Sequence, residues 1–196
     1  MSVWDFPLRL FHWSLFLSIV GAIISAKADV LWVHERFGLT VLGLITFRIF
    51  WGFLGGHYAQ FRQFITSPKI ALQELKTIFK SKLKFKTGHS ALGGYAVLAL
   101  LGVPLFMAIT GTMSNDDVLF DGPLAHLVPN GTEFATTLHH TGEKFLFLIF
   151  FLHVSAILFY KFKKNRHLTS TMLTGKDDGA PATAVDGKIS ANRNYF

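Results

Sequence analysis

Nine histidines and no cysteine define the metal chemistry open to this 196-residue chain. Without thiols it can form no disulfide, iron–sulfur cluster, thioether-linked haem or cysteine zinc site, so any metal ligation falls to imidazole. Four histidines stand within or beside strongly apolar runs: His12, His34, His139 and His153. An ionisable side chain at such a place is costly and is by default a functional candidate. His139 and His153 are 14 residues apart, which on a helix puts them within about 40° of one face and about 21 Å apart along the axis. His140, 13 residues from His153, is turned about 140° away, so His139 is the candidate of the adjacent pair. For one such histidine alone, a hydrogen-bonded packing role is the ordinary alternative.

The elements that must position them are membrane helices. Half of the chain (51%) is hydrophobic, with 21 Phe, and only 16% is charged, which excludes a polar disordered chain. The net charge of +7 does not point to nucleic acid, because the basic residues sit between apolar runs instead of forming one patch. Four segments have the roughly 20 apolar residues that a bilayer-crossing helix needs: Leu8 to Ala26, Phe37 to Leu54, Leu92 to Met113 and Phe145 to Phe162. Phe145 to Phe159 is apolar all round, unlike the one-sided stripe of a soluble bundle helix. The predicted fold is therefore all-α, an integral membrane four-helix bundle over residues 1–174, with 175–196 as a polar, disordered tail. Asp5 and Pro7 suit a helix start, and the absence of a basic n-region and cleavage site predicts that the first helix is retained.

Charge sets the expected orientation. Arg62, Lys69, Lys76, Lys80, Lys82, Lys84 and Lys86 face the single acid Glu74 between spans two and three, and Lys161, Lys163, Lys164 and Arg166 follow span four. These segments, and hence both termini, are expected in the cytoplasm. The opposite connections carry Lys27 with Asp29, and Asp116, Asp117, Asp121 and Glu133. Ser67-Pro68 followed by Leu72, Leu75, Phe79 and Leu83 among lysines predicts a basic amphipathic helix on the inner membrane surface, with a solvated loop as the alternative.

With this topology His12 and His153 fall at the inner level and His34 and His139 at the outer level. Two histidine pairs stacked at two depths are what two haems with two axial imidazoles each require. A shared tetrahedral zinc is disfavoured, since the levels are too far apart and each offers two ligands; a histidine proton relay stays open. Gly38 lies one turn after His34 and Gly142 nearly one turn after His139, where small residues admit a flat macrocycle or serve plain helix packing. Arg48, 14 residues after His34, sits on nearly the same face at the inner level, placed either to neutralise a propionate or to snorkel to the surface. His89, opening the third span, could bond a quinone head group or a propionate, or simply sit at the interface. His57, His126 and His167 are expected in surface loops.

These residues resemble the bacterial cytochrome b561 family, which includes the cytochrome b subunits of nickel–iron hydrogenases. The resemblance rests on Val3-Trp-Asp-Phe-Pro-Leu-Arg-Leu-Phe-His-Trp13, His34-Glu-Arg-Phe-Gly38 followed by Arg48, Trp51-Gly52, Gly88-His-Ser-Ala-Leu-Gly-Gly94, the His139 to His153 spacing and Met172-Leu-Thr-Gly-Lys176. It spans about residues 3 to 176. It departs at His140, where the family often has Glu, and at Ser90-Ala91, where the family often has Asn-Pro. The resemblance implies a four-helix cytochrome of the bacterial inner membrane that binds two b haems at His12, His153, His34 and His139. It further implies electron transfer between membrane quinone and a redox partner, either a hydrogenase or dehydrogenase subunit or a periplasmic cytochrome c. The rivals are a haem-free transporter or proton relay, and a membrane anchor subunit.

Overall fold

The computed structural model of the chain describes residues 3–77, 88–115 and 120–177. Among these, the regular structure is helical: α1 (Phe6–Lys27), α2 (Leu31–Leu54), α3 (Pro68–Thr77), α4 (Ala91–Thr112), α5 (Thr132–Lys164) and α6 (Leu168–Thr174), with short 3-10 turns between them. An isolated bridge pairs Asn115 with Asp121. Four helices, α1, α2, α4 and α5, are long and apolar enough to cross a membrane. Much of their surface is apolar and exposed, including Phe6, Leu17, Phe50, Phe151 and Phe162, as a lipid-facing surface requires and a water-facing one does not tolerate.

Two spans are longer than their apolar runs. The second helix begins at Leu31 and the fourth at Thr132, because residues beyond the hydrocarbon keep helical hydrogen bonds without needing to be apolar. The 33 residues of α5 amount to about 50 Å, well beyond a hydrocarbon core of about 30 Å. His34 and His139 consequently lie inside helices, with fixed directions for their side chains.

The chain divides into two compact units, and each long helix supplies residues to both. The first comprises Met1–Leu10, Arg48–Leu98 and His153–Phe196. Here Asp5 starts α1 by accepting the Leu8 N–H at 2.9 Å, which satisfies one of the orphan donors of the first turn. The amides of Val3 and Trp4 donate to the Gly175 carbonyl at 2.7 and 3.2 Å, and Arg9 Nη1 donates to the Leu173 carbonyl at 2.5 Å. Gly175 has φ +78°, and a Cβ there would stand 2.8 Å from the Trp4 carbonyl oxygen, so glycine is demanded both by conformation and by space. Asp177 is buried against Arg166, with Nη2 to Oδ2 at 2.5 Å. Gly175 and Asp177, at the start of the expected polar tail, are thus packed, with Lys176 exposed between them; residues 178–196 lie outside the described residues.

The helix expected between spans two and three is present as α3, while Phe79, Leu83 and Lys80 to Lys86 lie outside the described residues. Ala71 is buried, and Ile70, Leu72 and Leu75 are exposed. Glu74 accepts the Leu92 N–H at 3.0 Å, and Ser90 Oγ accepts the Gly93 N–H at 3.1 Å, so α4 starts with two of its orphan amides satisfied.

The second unit comprises Phe11–Phe47 and Ala99–Leu152. Val41, Ile45, Phe11, Leu15 and Leu146 form its buried apolar centre. Gly21 lets α1 approach α2 closely, since a Cβ there would overlap the Phe37 ring at 2.5 Å. Gly142 lets α5 approach α4 in the same manner, with Met107 Cγ 2.9 Å from the position of a Cβ. Of the two roles open to Gly142, helix packing is therefore the one its surroundings display.

Candidate functional site

In the second unit α2 and α5 bring His34 and His139 together, with ring centres 5.8 Å apart and planes at 82°. His34 Nδ1 lies 2.8 Å from the Ala22 carbonyl of α1, and His139 Nδ1 lies 2.9 Å from the Met107 carbonyl of α4. A carbonyl oxygen only accepts, so Nδ1–H must be the donor in each ring, which in the neutral imidazole leaves Nε2 with the lone pair that a metal needs. This is the arrangement of metal-ligating histidines, whose second nitrogen is tied to a backbone carbonyl or carboxylate. Two imidazoles on opposite sides of one metal ion, each bonded at about 2.0–2.1 Å, have ring centres about 6.4 Å apart, so the observed 5.8 Å is about half an ångström short of that span.

Both rings line a cavity of about 380 Å³, within the range of ligand pockets. Its walls include Ile19, Ile23, Leu39, Val41, Met107 and Leu146, and its polar rim includes Lys27, Asp29, Glu35, Asn115, His140 and Glu143. Gly38 lines it too, and a Cβ there would meet nothing within 4 Å, so the cavity is open beside the α2 turn that follows His34. Lys27 and Glu143 pair at 2.7 Å with the lysine largely exposed, which makes this a weak surface ion pair. Among the described residues no group of three or more His, Asp or Glu is disposed to hold a metal by itself. Two imidazoles across an apolar cavity suit a metal that brings its own macrocycle, and the donor set fits haem.

In the first unit Arg48 is buried, its side chain 2% exposed. Its Nη2 donates to the Ala59 carbonyl at 3.0 Å, and its guanidinium lies 4.8 Å from the centre of the Phe61 ring. Nη1 is buried with no hydrogen-bond partner among the described residues, so Arg48 does not snorkel to water. Asp5 supplies nearby opposite charge, its carboxylate also accepting Trp51 Nε1 at 3.1 Å and the Gly56 N–H at 3.0 Å.

His89 is half-buried between Trp4 and Phe64, with ring centres at 4.7 and 4.6 Å. Its Nδ1 has no solvent contact and no hydrogen-bond partner among the described residues. Burial, reinforced by the Arg48 guanidinium, lowers its pKa to about 3, so the ring is neutral near pH 7. The unmatched Arg48 Nη1 and His89 Nδ1 are the polar atoms an acidic or carbonyl-bearing ligand would satisfy. His153 is half-buried in this unit, and His12 is half-buried in the second, edge-on to Trp13 at 5.2 Å. His126 and His167 are exposed and His57 is half-buried.

A model of the family described as prokaryotic cytochrome b561 matches residues 3–175. The chain belongs to that family. Membership in the prokaryotic cytochrome b561 family makes it a multi-pass membrane cytochrome of the b type, a class built on haem b and electron transfer. This cytochrome b561 chain is 27% identical over 217 residues to the probable Ni/Fe-hydrogenase B-type cytochrome subunit of Azotobacter chroococcum mcd 1, covering 90% of the chain and 89% of the relative. The corresponding subunit of Azotobacter vinelandii matches at the same identity and coverage. No solved structure matches.

Several residues of this cytochrome b561 chain have roles that its sequence did not announce. Asp5 reads as a helix start yet also holds Trp51 and Gly56 beside a buried arginine. Met107 acts through its main-chain oxygen, for which no side-chain pattern exists. Trp4 and Phe64 enclose His89 from positions distant in sequence.

Proposed function

We propose that this chain is a di-haem cytochrome b of the bacterial inner membrane, which passes electrons between the quinone pool and a redox partner on the outer side. The observation that carries the reading is the His34 and His139 pair, each ring held in its Nδ1–H form by a backbone carbonyl and both facing one cavity. Haem held by these two imidazoles would supply reversible one-electron chemistry. His34 and His139 hold one group, and His12 and His153 are the candidate ligands of the other. Gly38 leaves room beside the first. Arg48 neutralises an acidic group at the second through its unmatched Nη1.

Quinone is the substrate at the inner side. Neutral His89 offers one nitrogen to a quinone oxygen while Trp4 and Phe64 flank the ring. Both termini face the cytoplasm, and α3 lies on the inner membrane surface with Leu72 and Leu75 in the lipid and Lys69 and Lys76 at the head groups. The two hydrogenase cytochrome subunits among its relatives favour a hydrogenase or dehydrogenase subunit as partner. The acids Asp29 and Glu35 at the rim of the outer cavity are equally compatible with a basic cytochrome c.

The test is a pyridine haemochrome assay on the protein in mild detergent, with its reduced-minus-oxidised spectrum. Two b haems per chain are expected, falling to one in His34→Ala, His139→Ala, His12→Ala and His153→Ala alike. A colourless wild type refutes the reading, and an unchanged content in any of the four variants refutes that ligand.

A further inference from the structure

Each imidazole of the His34 and His139 pair is aimed by a carbonyl from a helix that supplies neither of them, α1 for His34 and α4 for His139. On α4 a second constraint acts on the same ring. A Cβ at Gly111 would stand 3.0 Å from His139 Cε1 and 3.1 Å from Nδ1, a tighter contact than side chains ordinarily make, so the imidazole would have to give by a few tenths of an ångström. Thr110 Oγ1 also approaches His139 Nδ1, at 3.5 Å. The ring is therefore held by the Met107 carbonyl at one edge and keeps its observed position without adjustment because position 111 lacks a side chain. The resulting angle to the His34 plane is 82°.

We infer that Gly111 is a positioning residue: together with the Met107 carbonyl it sets the azimuth of the His139 ring and so keeps the two imidazoles of this site nearly perpendicular. The inference rests on the proposal that the pair holds haem. Perpendicular axial imidazoles bring the two highest-filled iron d orbitals close in energy, and ferric low-spin iron then gives a highly anisotropic electron paramagnetic resonance signal with one large g value. Parallel imidazoles separate those orbitals and give an ordinary rhombic spectrum. Added bulk at position 111 must tilt or rotate the ring and weaken its bond to Met107, a change in ligand orientation of the kind that tunes a haem site.

The experiment compares ferric spectra of the detergent-purified full chain, its His34→Ala form, Gly111→Ala and Gly102→Ala, with haem content measured on each sample. Gly102 is the control, since a Cβ there meets nothing within 4 Å. The wild type and Gly102→Ala should show the large-g signal, and His34→Ala should lose it while keeping the second haem. Gly111→Ala should shift it toward the rhombic position at undiminished haem content. A haem-loaded Gly111→Ala whose spectrum equals that of the wild type overturns the inference. So does a wild type with two haems and no large-g signal, which decides the matter even if Gly111→Ala does not accumulate. A wild type without haem refutes the underlying site instead.

Discussion

The Glu74 carboxylate accepts the backbone N–H of Leu92 at 3.0 Å. The single acid of a basic connection thus caps the third membrane span, and α3 is tied to α4 by a bond that spans 18 residues of sequence. Leu92 N–H, one of the orphan donors at the start of α4, loses this partner in Glu74→Ala, at a cost of about 1 kcal/mol by analogy with helix caps. Glu74→Gln retains an acceptor and should lose less. Thermal unfolding in detergent ranks the three proteins. Equal melting temperatures in all three would show that the bond does not hold α3 to α4.

Asp5 joins the start of α1 to the segment after α2. Its carboxylate takes three donors, from Leu8, Trp51 and Gly56, while its charge balances buried Arg48. Asp5→Ala leaves those donors and a buried cation unmatched, and should destabilise by about 3 kcal/mol. Asp5→Asn keeps most of the acceptor geometry but removes the charge. It should be destabilised less than Asp5→Ala, because the Leu8, Trp51 and Gly56 donors keep an acceptor. Thermal unfolding in detergent ranks the two variants against the wild type, and equal stability of Asp5→Ala and the wild type would show that the carboxylate does not hold these segments together.

His89 makes stability pH-dependent. Its folded pKa of about 3 lies below the ordinary value of about 6.5. Between these values the unfolded chain binds the proton more readily, so the stability due to neutral His89 is complete above pH 6.5 and falls as the pH is lowered. The loss should reach about 2 kcal/mol by pH 5. His89→Gln, which is neutral throughout, should show a smaller drop in Tm between pH 7 and pH 5 than the wild type. Parallel pH profiles would mean that the ring is solvated in the protein.

What the chain reveals as a sequence is the part of the protein that the bilayer dictates. Four long apolar runs can only be helices, because lipid offers no partner for an open backbone, and four such helices are present. An imidazole within or beside such a run is by default a functional candidate, and this singles out His12, His34, His139 and His153. His34 and His139, paired by topology alone, stand 5.8 Å apart. Helix ends were not legible to the same degree: α2 and α5 extend to Leu31 and Thr132, because beyond the hydrocarbon polarity no longer distinguishes helix from loop. Only the tertiary structure decided which backbone oxygens fix the imidazole tautomers, that Arg48 is sealed from water, and that Trp4 and Phe64 enclose His89. These are contacts between distant segments made by main-chain atoms and by ring faces. Neither carries a periodic signal along the chain, so packing had to bring them together before their chemistry could be read.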